Sequence, residues 1–218
     1  MLKVFFIVGI FLFCPVFVRA ECPSYDSKID IRVIKDYGKL VYDHTKSSDE
    51  FYKVAGSGFG SHTRGLTIAD FNLSVRADAS NYTYDDKENC VYLDAVDLEM
   101  SYNQILVLID KRYKKSSCEY KVILDHENKH VAVHKKSLDY YAPYIIGAME
   151  KALYNLEPMP VRSGKKKDVE EAVNTIIDDL MDKISGMLDF FEEERNRAND
   201  KLDTQENYEK EHALCRNW

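Results

Sequence analysis

Residues 126–130 read His-Glu-Asn-Lys-His, an H-E-x-x-H pattern with two histidines four positions apart. On an α-helix, residues four apart lie on one face, with Cβ atoms about 5 to 6 Å apart, so both imidazoles can reach one metal ion. The residue after the first histidine then faces the water in the open coordination position. The spacing therefore predicts a metal centre formed by His126 and His130, with Glu127 beside the bound water.

The distribution of side chains around the predicted helix supports this interpretation. Each residue of a helix turns by about 100°, and this rotation places four polar side chains on the apolar arc of the helix: His126, Glu127, His130 and His134. The opposite arc holds Lys121, Asp125, Asn128, Lys129, Lys135, Lys136 and Asp139. A buried carboxylate needs a partner to offset its desolvation, and a metal with its bound water would provide one. The alternative is a set of core side chains that hydrogen-bond to the sheet or to the C-terminal helix.

The sequence resembles the zincin-type metallopeptidases through this motif on a helix that follows an antiparallel hairpin. More narrowly, residues 117–120, 125–134 and 203–208 are similar to a family of uncharacterised exported bacterial proteins predicted to be zinc proteases. This second resemblance covers most of the chain after residue 20. It implies that His126 and His130 bind Zn²⁺, that Glu127 is the catalytic general base, and that the substrate is a peptide or protein.

The third metal ligand departs from well-known patterns, and two candidates stand out. His134 lies eight residues from His126, about 12 Å along a straight helix, and residues 131–133 contain no glycine to break it. Glu150 follows His130 by 20 residues, as the third ligand does in some glutamate-type zincins, with Pro143 between them. We keep Glu150 and His134 as alternatives, followed by His44, His62 or an acid of the long C-terminal helix.

The elements that must position these residues begin with a sheet. Residues 29–33 alternate as a strand does, and residues 39–42 follow a predicted turn at Tyr37-Gly38. Two further strands, Cys90–Met100 and Gln104–Arg112, are predicted to form a hairpin around residues 101–103. We expect a small antiparallel sheet, and the second strand of this hairpin could pair with an extended peptide along its edge.

Helices are predicted after the sheet. The S-x-x-E pattern of Ser116 to Glu119 predicts a helix that begins near Ser117, and Pro143 predicts its end or a kink before a second piece to Leu156. Apolar residues then recur every three or four positions and predict a long amphipathic helix that packs on the domain, or else dimerises: Val169, Val173, Ile176, Leu180, Ile184, Met187 and Phe191.

The predicted fold class is α+β, with an antiparallel sheet, the H-E-x-x-H helix and a long C-terminal amphipathic helix. Its predicted divisions are a signal peptide at 1–20, a zincin-like domain at 21–157, a connector at 158–168 and a C-terminal helical arm at 169–218. The signal peptide is inferred from Lys3, an apolar run over residues 4–18 and a small residue, Ala20, at the cleavage point.

Charge excludes two classes of partner. Cleavage after Ala20 removes Lys3 and Arg19, so 28 basic residues face 37 acidic ones and the net charge becomes −9. Nucleic acids and anionic membrane surfaces both require a basic surface, so we expect neither as a partner.

Cysteines point to an oxidising compartment. Cleavage also removes Cys14, which leaves four of the five cysteines, and four thiols in an exported chain favour two disulfides over a metal cluster. We predict the pairs Cys90–Cys118, which would bracket the hairpin, and Cys22–Cys215, which would join the two ends.

Two functions remain from the sequence. One is a secreted or periplasmic zinc-dependent peptidase. The other is a non-catalytic exported peptide- or protein-binding module that has a structural or vestigial metal site.

Overall fold

The computed structural model describes residues 22–24, 28–55, 63–84 and 88–216. The predicted signal peptide, most of the Gly/Ser-rich segment 55–61 and His62 lie outside these ranges. The elements in chain order are β1 (Asp30–Asp36), β2 (Lys39–Asp43), α1 (Ser48–Ala55), β3 (Gly65–Tyr84), β4 (Glu88–Ile109), α2 (Cys118–Tyr154), β5 (Met159–Val161), α3 (Lys166–Asp200) and α4 (Gln205–His212). The fold thus combines helices and strands, as expected.

Strand β4 is the centre of the sheet. β3 pairs with it antiparallel along its length, and β5, β1 and β2 pair in succession along its other edge. The prediction of an antiparallel sheet is wrong, because β1 and β2 run parallel to β4. Asp30 lies opposite Ala95 and Lys39 opposite Gln104, an offset of 65 residues in both cases, so β1 and β2 form one interrupted line.

The predicted turn at Tyr37-Gly38 is therefore wrong as well. The chain passes through Gly38 with φ of 64° and continues in the same direction. A Cβ at Gly38 would lie 2.0 Å from the Tyr102 carbonyl oxygen, so this crossing requires both the positive φ and the missing side chain of glycine.

The predicted hairpin turn at residues 101–103 is also absent, since β4 is a single strand of 22 residues. The register with β3 shifts between Ala69 and Phe71 and between Asp78 and Ala79. Each shift is a β-bulge. It moves by one residue the alternation of β4 side chains between the two faces of the sheet, and so keeps the apolar side chains on the core face. The core residues of β4 are Val91, Leu93, Val96, Leu98, Met100, Tyr102, Ile105, Val107 and Ile109.

Helix α2 begins where the sequence predicts but does not break at Pro143. The Ser117 side chain accepts a hydrogen bond from the Tyr120 amide and caps a continuous helix of 37 residues. Pro143 is exposed, so the backbone carbonyl that loses its helical partner can face solvent, while Ala142 and Ile145 beside it are buried. Packing of the buried face keeps the helix intact.

Helix α3 packs antiparallel on α2, as the contact of His130 with Asn199 and the ring contact of Tyr141 with Phe191 show. The residues of its apolar stripe belong to the core or pack against it. The stretch that we predicted as a connector contains β5. Helix α1 was missed, although Ser47 and Glu50 form the same capping pattern that identified α2.

All four cysteines after residue 20 form disulfides, as predicted, but the predicted pairing is wrong. The bonds are Cys22–Cys90 and Cys118–Cys215. Cys90 lies at the beginning of β4, and Cys118 follows the strand's other end, roughly 60 Å away for an unbroken strand. Without a hairpin the two cannot meet.

No helix in the described ranges is long and apolar enough to cross a membrane.

The conformation of Gly38 provides a test of the interrupted β1–β2 line. Gly38→Ala should lower the free energy of unfolding by about 2 kcal/mol or more, because it combines a disfavoured φ with a backbone clash. Gly186→Ala is the matched control, since its Cβ would meet no atom within 4 Å and should raise helix stability by about 0.5 to 1 kcal/mol. Urea denaturation measures both, and equal stabilities would contradict the assigned crossing.

Candidate metal centre

Three elements bring polar side chains together at one end of the α2–α3 pair. The third and fourth turns of α2 supply His126, Glu127 and His130, all of which are buried. The turn that follows α3 supplies Asp203, and α4 supplies Tyr208 and Glu211. Because α3 runs antiparallel to α2, its C-terminal end arrives beside the first turns of α2.

The donor atoms form a nearly equilateral triangle. The Nε2 atoms of His126 and His130 are 3.1 Å apart, and they lie 3.0 and 3.2 Å from Oδ1 of Asp203. A tetrahedral zinc ion with ligands about 2.0 Å away has ligand–ligand distances of about 3.3 Å. The triangle therefore fits three corners of a tetrahedral site and leaves the fourth for water or substrate.

The other ring nitrogens fix the protonation of both histidines. Nδ1 of His126 lies 3.0 Å from Oε2 of Glu211, and Nδ1 of His130 lies 2.9 Å from Oδ1 of Asn199. The Asn199 amide is oriented by its Nδ2, which donates to the Arg195 carbonyl. Both partners are acceptors, so each Nδ1 carries a proton, as is usual for metal-binding histidines. The two neutral rings would then direct their Nε2 lone pairs at Asp203, an arrangement that needs a cation between them.

Protons can supply that positive charge when no metal is bound. Burial alone would lower the pKa of His126, but hydrogen bonds to Asp203 and Glu211 and the charge of Glu127 raise it to about 9. Burial opposes protonation of His130 too, yet Asp203 and Asn199 raise its pKa. The pKa of the Asp203 carboxyl is lowered by both histidines and by the Tyr208 hydroxyl, despite its partial burial. A metal ion would compete with these protons.

Glu127 is held against the first residues of β3. Its Oε2 accepts a hydrogen bond of 2.7 Å from the Thr67 hydroxyl, and a Cβ at Gly65 would lie 2.5 Å from its Oε1. Burial raises the pKa of this carboxyl, partly opposed by Thr67 and the two histidines. A carboxylate with a raised pKa is a stronger base than an ordinary one, which suits a general base.

Neither favoured third ligand lies with the histidine pair. His134 is buried one turn further along α2, its backbone carbonyl accepts the Tyr102 hydroxyl, and burial lowers the pKa of its ring to about 4. Glu150 is exposed and, on a continuous helix, about 30 Å from His130. Of the other candidates, His44 packs edge-on against Tyr120, and His62 is not among the described residues.

The residue that completes the triangle is Asp203, which our sequence reasoning did not name as a ligand. It lies three residues beyond the last residue of α3, and 73 positions separate it from His130. No periodic spacing links residues so far apart. The only signal was the segment 203–208, which forms part of the resemblance to the exported bacterial family.

Among the described residues, His126, His130 and Asp203 form the one group of at least three such side chains whose donor atoms are close enough to hold a metal ion. No family model, curated protein or solved structure matches the chain. The case for a metal centre is therefore the geometry of these three side chains.

Proposed function

We propose that this chain is an exported zinc-dependent peptidase. His126, His130 and Asp203 hold the zinc ion, and Glu127 is the general base. The observation that carries the proposal is the triangle of Nε2, Nε2 and Oδ1 atoms with edges of 3.0 to 3.2 Å. Both histidines already use Nδ1 for other hydrogen bonds, so Nε2 is the atom left for the metal.

The donor set is compatible with zinc and disfavours calcium and magnesium. Two imidazole nitrogens and one carboxylate oxygen are typical of catalytic zinc sites, which retain an open fourth position. Calcium and magnesium instead require six or more oxygen ligands, and this cluster offers too few.

The chain's own residues would then carry out peptide hydrolysis. Bound zinc would polarise a water molecule and the scissile carbonyl. Glu127 would accept a proton from the attacking water and pass it to the leaving amine. Thr67 holds Oε2 of Glu127, which leaves Oε1 to exchange the proton. Glu211 and Asn199 keep both imidazoles in the required tautomer throughout.

Substrate binding is proposed at the edge of β3. The segment of β4 that we first considered for edge pairing is paired on both sides, with β2 and with β3, so that prediction is wrong. β3 pairs only with β4 in the described part of the chain. An extended peptide that pairs with residues 65–69 would lie beside the Thr67–Glu127 contact.

Export is supported by the cysteines. Two disulfides form and persist in oxidising environments such as the periplasm or the cell exterior. Together with the predicted signal peptide at residues 1–20, they favour a secreted or periplasmic location.

One observation favours the alternative of a non-catalytic exported binding module. Glu127 is only 4% exposed, and a general base must reach the attacking water. In such a module, Glu127 would only fix α2 to β3 through Thr67, and the metal would be structural.

The ligand set is tested by metal binding. The unmutated chain should bind one equivalent of zinc, and Asp203→Ala should weaken the affinity by about 100-fold or more, because one of three protein ligands is lost. Glu150→Ala removes an exposed carboxylate far along α2 and should leave the affinity unchanged. Competition with a chromophoric chelator measures all three. Absence of stoichiometric zinc from the unmutated chain would refute the metal centre.

Catalysis is tested separately by Glu127→Gln. The glutamine can still accept the Thr67 hydrogen bond, so the fold and the zinc content should persist while cleavage of a peptide library falls by about 10²- to 10⁴-fold. Thr67→Val is a companion variant that keeps the base but removes its hydrogen bond. Zinc binding without any cleavage by the unmutated chain would favour the binding module, and unchanged cleavage by Glu127→Gln would exclude Glu127 as the base.

A further inference from the structure

We propose that the Cys118–Cys215 disulfide is a redox switch for metal binding: its reduction releases residues 201–216, here called the terminal segment, and lowers the affinity of the metal centre. This inference rests on the proposed metal centre. The observation behind it is that one disulfide joins the end of the terminal segment to the helix that carries both histidines.

The terminal segment supplies much of the metal centre. Asp203 contacts both Nε2 atoms, Tyr208 donates a hydrogen bond of 2.6 Å to the same Asp203 oxygen, and Glu211 accepts from Nδ1 of His126. The Tyr208 ring also stacks on the His126 ring, with centroids 5.3 Å apart. If the segment moves away, His126 loses a proposed co-ligand, its stacking partner and the carboxylate that sets its tautomer.

Hydrophobic burial contributes little to holding the segment in place. Helix α4 has no buried residue, and Leu214 is 69% exposed. The buried residue of the segment is Cys215 itself, at 7% exposure. Polar contacts also hold the segment, namely Glu211 with Lys129 and His212 with Arg64. A segment with so few buried apolar contacts is nevertheless drawn from the low-stability end of a structure, where a covalent restraint has the largest effect.

The disulfide provides that restraint at a favourable position. Cys118 is the first residue of α2, about two turns before His126, and α2 contributes many residues to the core. With α2 and α3 packed, the bond closes a loop of about 15 residues between the end of α3 and Cys215. Closure of a loop of that size favours the docked segment by about 100-fold over an open chain.

The two disulfides differ in their access to a reductant. Cys118 is exposed, and its partner Cys215 is 7% exposed. In the other pair, Cys22 is half-buried and Cys90 is 2% exposed, so the most accessible cysteine of the two pairs is Cys118. A thiolate of a dithiol reductant attacks Sγ of Cys118, which breaks the S–S bond, forms a mixed disulfide and releases Cys215 as a thiolate that takes up a proton. The second thiol of the reductant then displaces Cys118. The protein gains two electrons and two protons, and the dithiol becomes a disulfide.

Because metal binding depends on the Cys118–Cys215 disulfide, the two events occur in a fixed order when the exported protein assembles. Before the bond forms, the terminal segment is free and the centre holds metal weakly. In an oxidising compartment, two thiols lose two electrons and two protons to a disulfide donor, the segment docks, and the complete ligand set binds zinc. Metal loading thus follows disulfide formation.

The test compares two matched pairs of substitutions. Cys118→Ser with Cys215→Ser should weaken zinc binding by at least about tenfold, as measured by chelator competition. Cys22→Ser with Cys90→Ser removes the other disulfide and should leave the affinity unchanged. Substitution is preferable to chemical reduction here, because free thiols and dithiol reagents bind zinc themselves. Equal affinities in the Cys118/Cys215 variant and the unmutated chain would overturn the proposal.

Hydrogen exchange provides a readout that does not depend on metal. In the Cys118/Cys215 variant, the amides of α4 should exchange faster while those of α2 and α3 remain protected. Persistent protection of α4 would refute the switch even if zinc binds. Absence of zinc from the unmutated chain would instead refute the metal centre, and faster α4 exchange would still support release of the segment. If the Cys22/Cys90 variant fails to fold, partial reduction with a phosphine, followed by mass spectrometry of each pair, replaces it.

Discussion

The antiparallel packing of α2 against α3 determines which residues of this chain can meet. The two helices bury apolar side chains along most of their contact, including Ile145 and Met149 of α2 and Leu180 and Ile184 of α3. Each such side chain contributes about 1.5 to 3 kcal/mol when fully buried. This apolar contact fixes the register of the helices, and the register in turn brings Asn199 and Asp203 to the first turns of α2. The candidate metal centre depends on packing that lies several turns away from it.

The contact between α2 and α3 changes from apolar to polar toward the candidate metal centre. After Phe191, the next layer contains His134 and Arg195, which are both buried. The guanidinium of Arg195 packs over the Phe191 ring, and its charge helps to keep His134 neutral. Nδ1 of His134 and two nitrogens of Arg195 have no hydrogen-bond partner among the described residues, a destabilising arrangement that the apolar contact must offset. The neutral His134 separates the protonated or metal-bound pair from the apolar core.

Features that depend on local sequence were predictable, and features that depend on distant partners were not. The start of α2, the burial of His126, Glu127 and His130 on one face, and the stripe of α3 follow from capping and helical periodicity, which act over a few residues. The parallel pairing of β1 and the continuity of β4 depend on long-range registers. Polar residues 101–103 are typical of a turn, yet they occupy a bulge because partners on both edges continue the strand.

The incorrect prediction of a hairpin also explains the incorrect disulfide pairing. The incorrect prediction of a helix break at Pro143 explains why Glu150 was favoured as the third ligand. A folded β4 would have brought Cys90 near Cys118, and a break at Pro143 would have allowed Glu150 to return toward His130. With β4 and α2 both continuous, these residues lie far apart, and the ends of the chain must supply the partners instead. Cys215 and Asp203 both come from the terminal segment, so one docking event provides the disulfide and the proposed ligand.

The charges around the candidate metal centre bear on the proposed exchange of protons for a metal ion. Asp203, Glu127 and Glu211 each supply a negative charge when ionised, and Lys129, which contacts both Glu211 and Asp125, supplies a positive charge. Protonation of both His126 and His130 would add two positive charges, and one zinc ion with two neutral imidazoles would add the same two. Since uncompensated charge on buried side chains is costly, an exchange of two protons for one divalent ion would leave the charge balance around the buried His126, Glu127 and His130 unchanged.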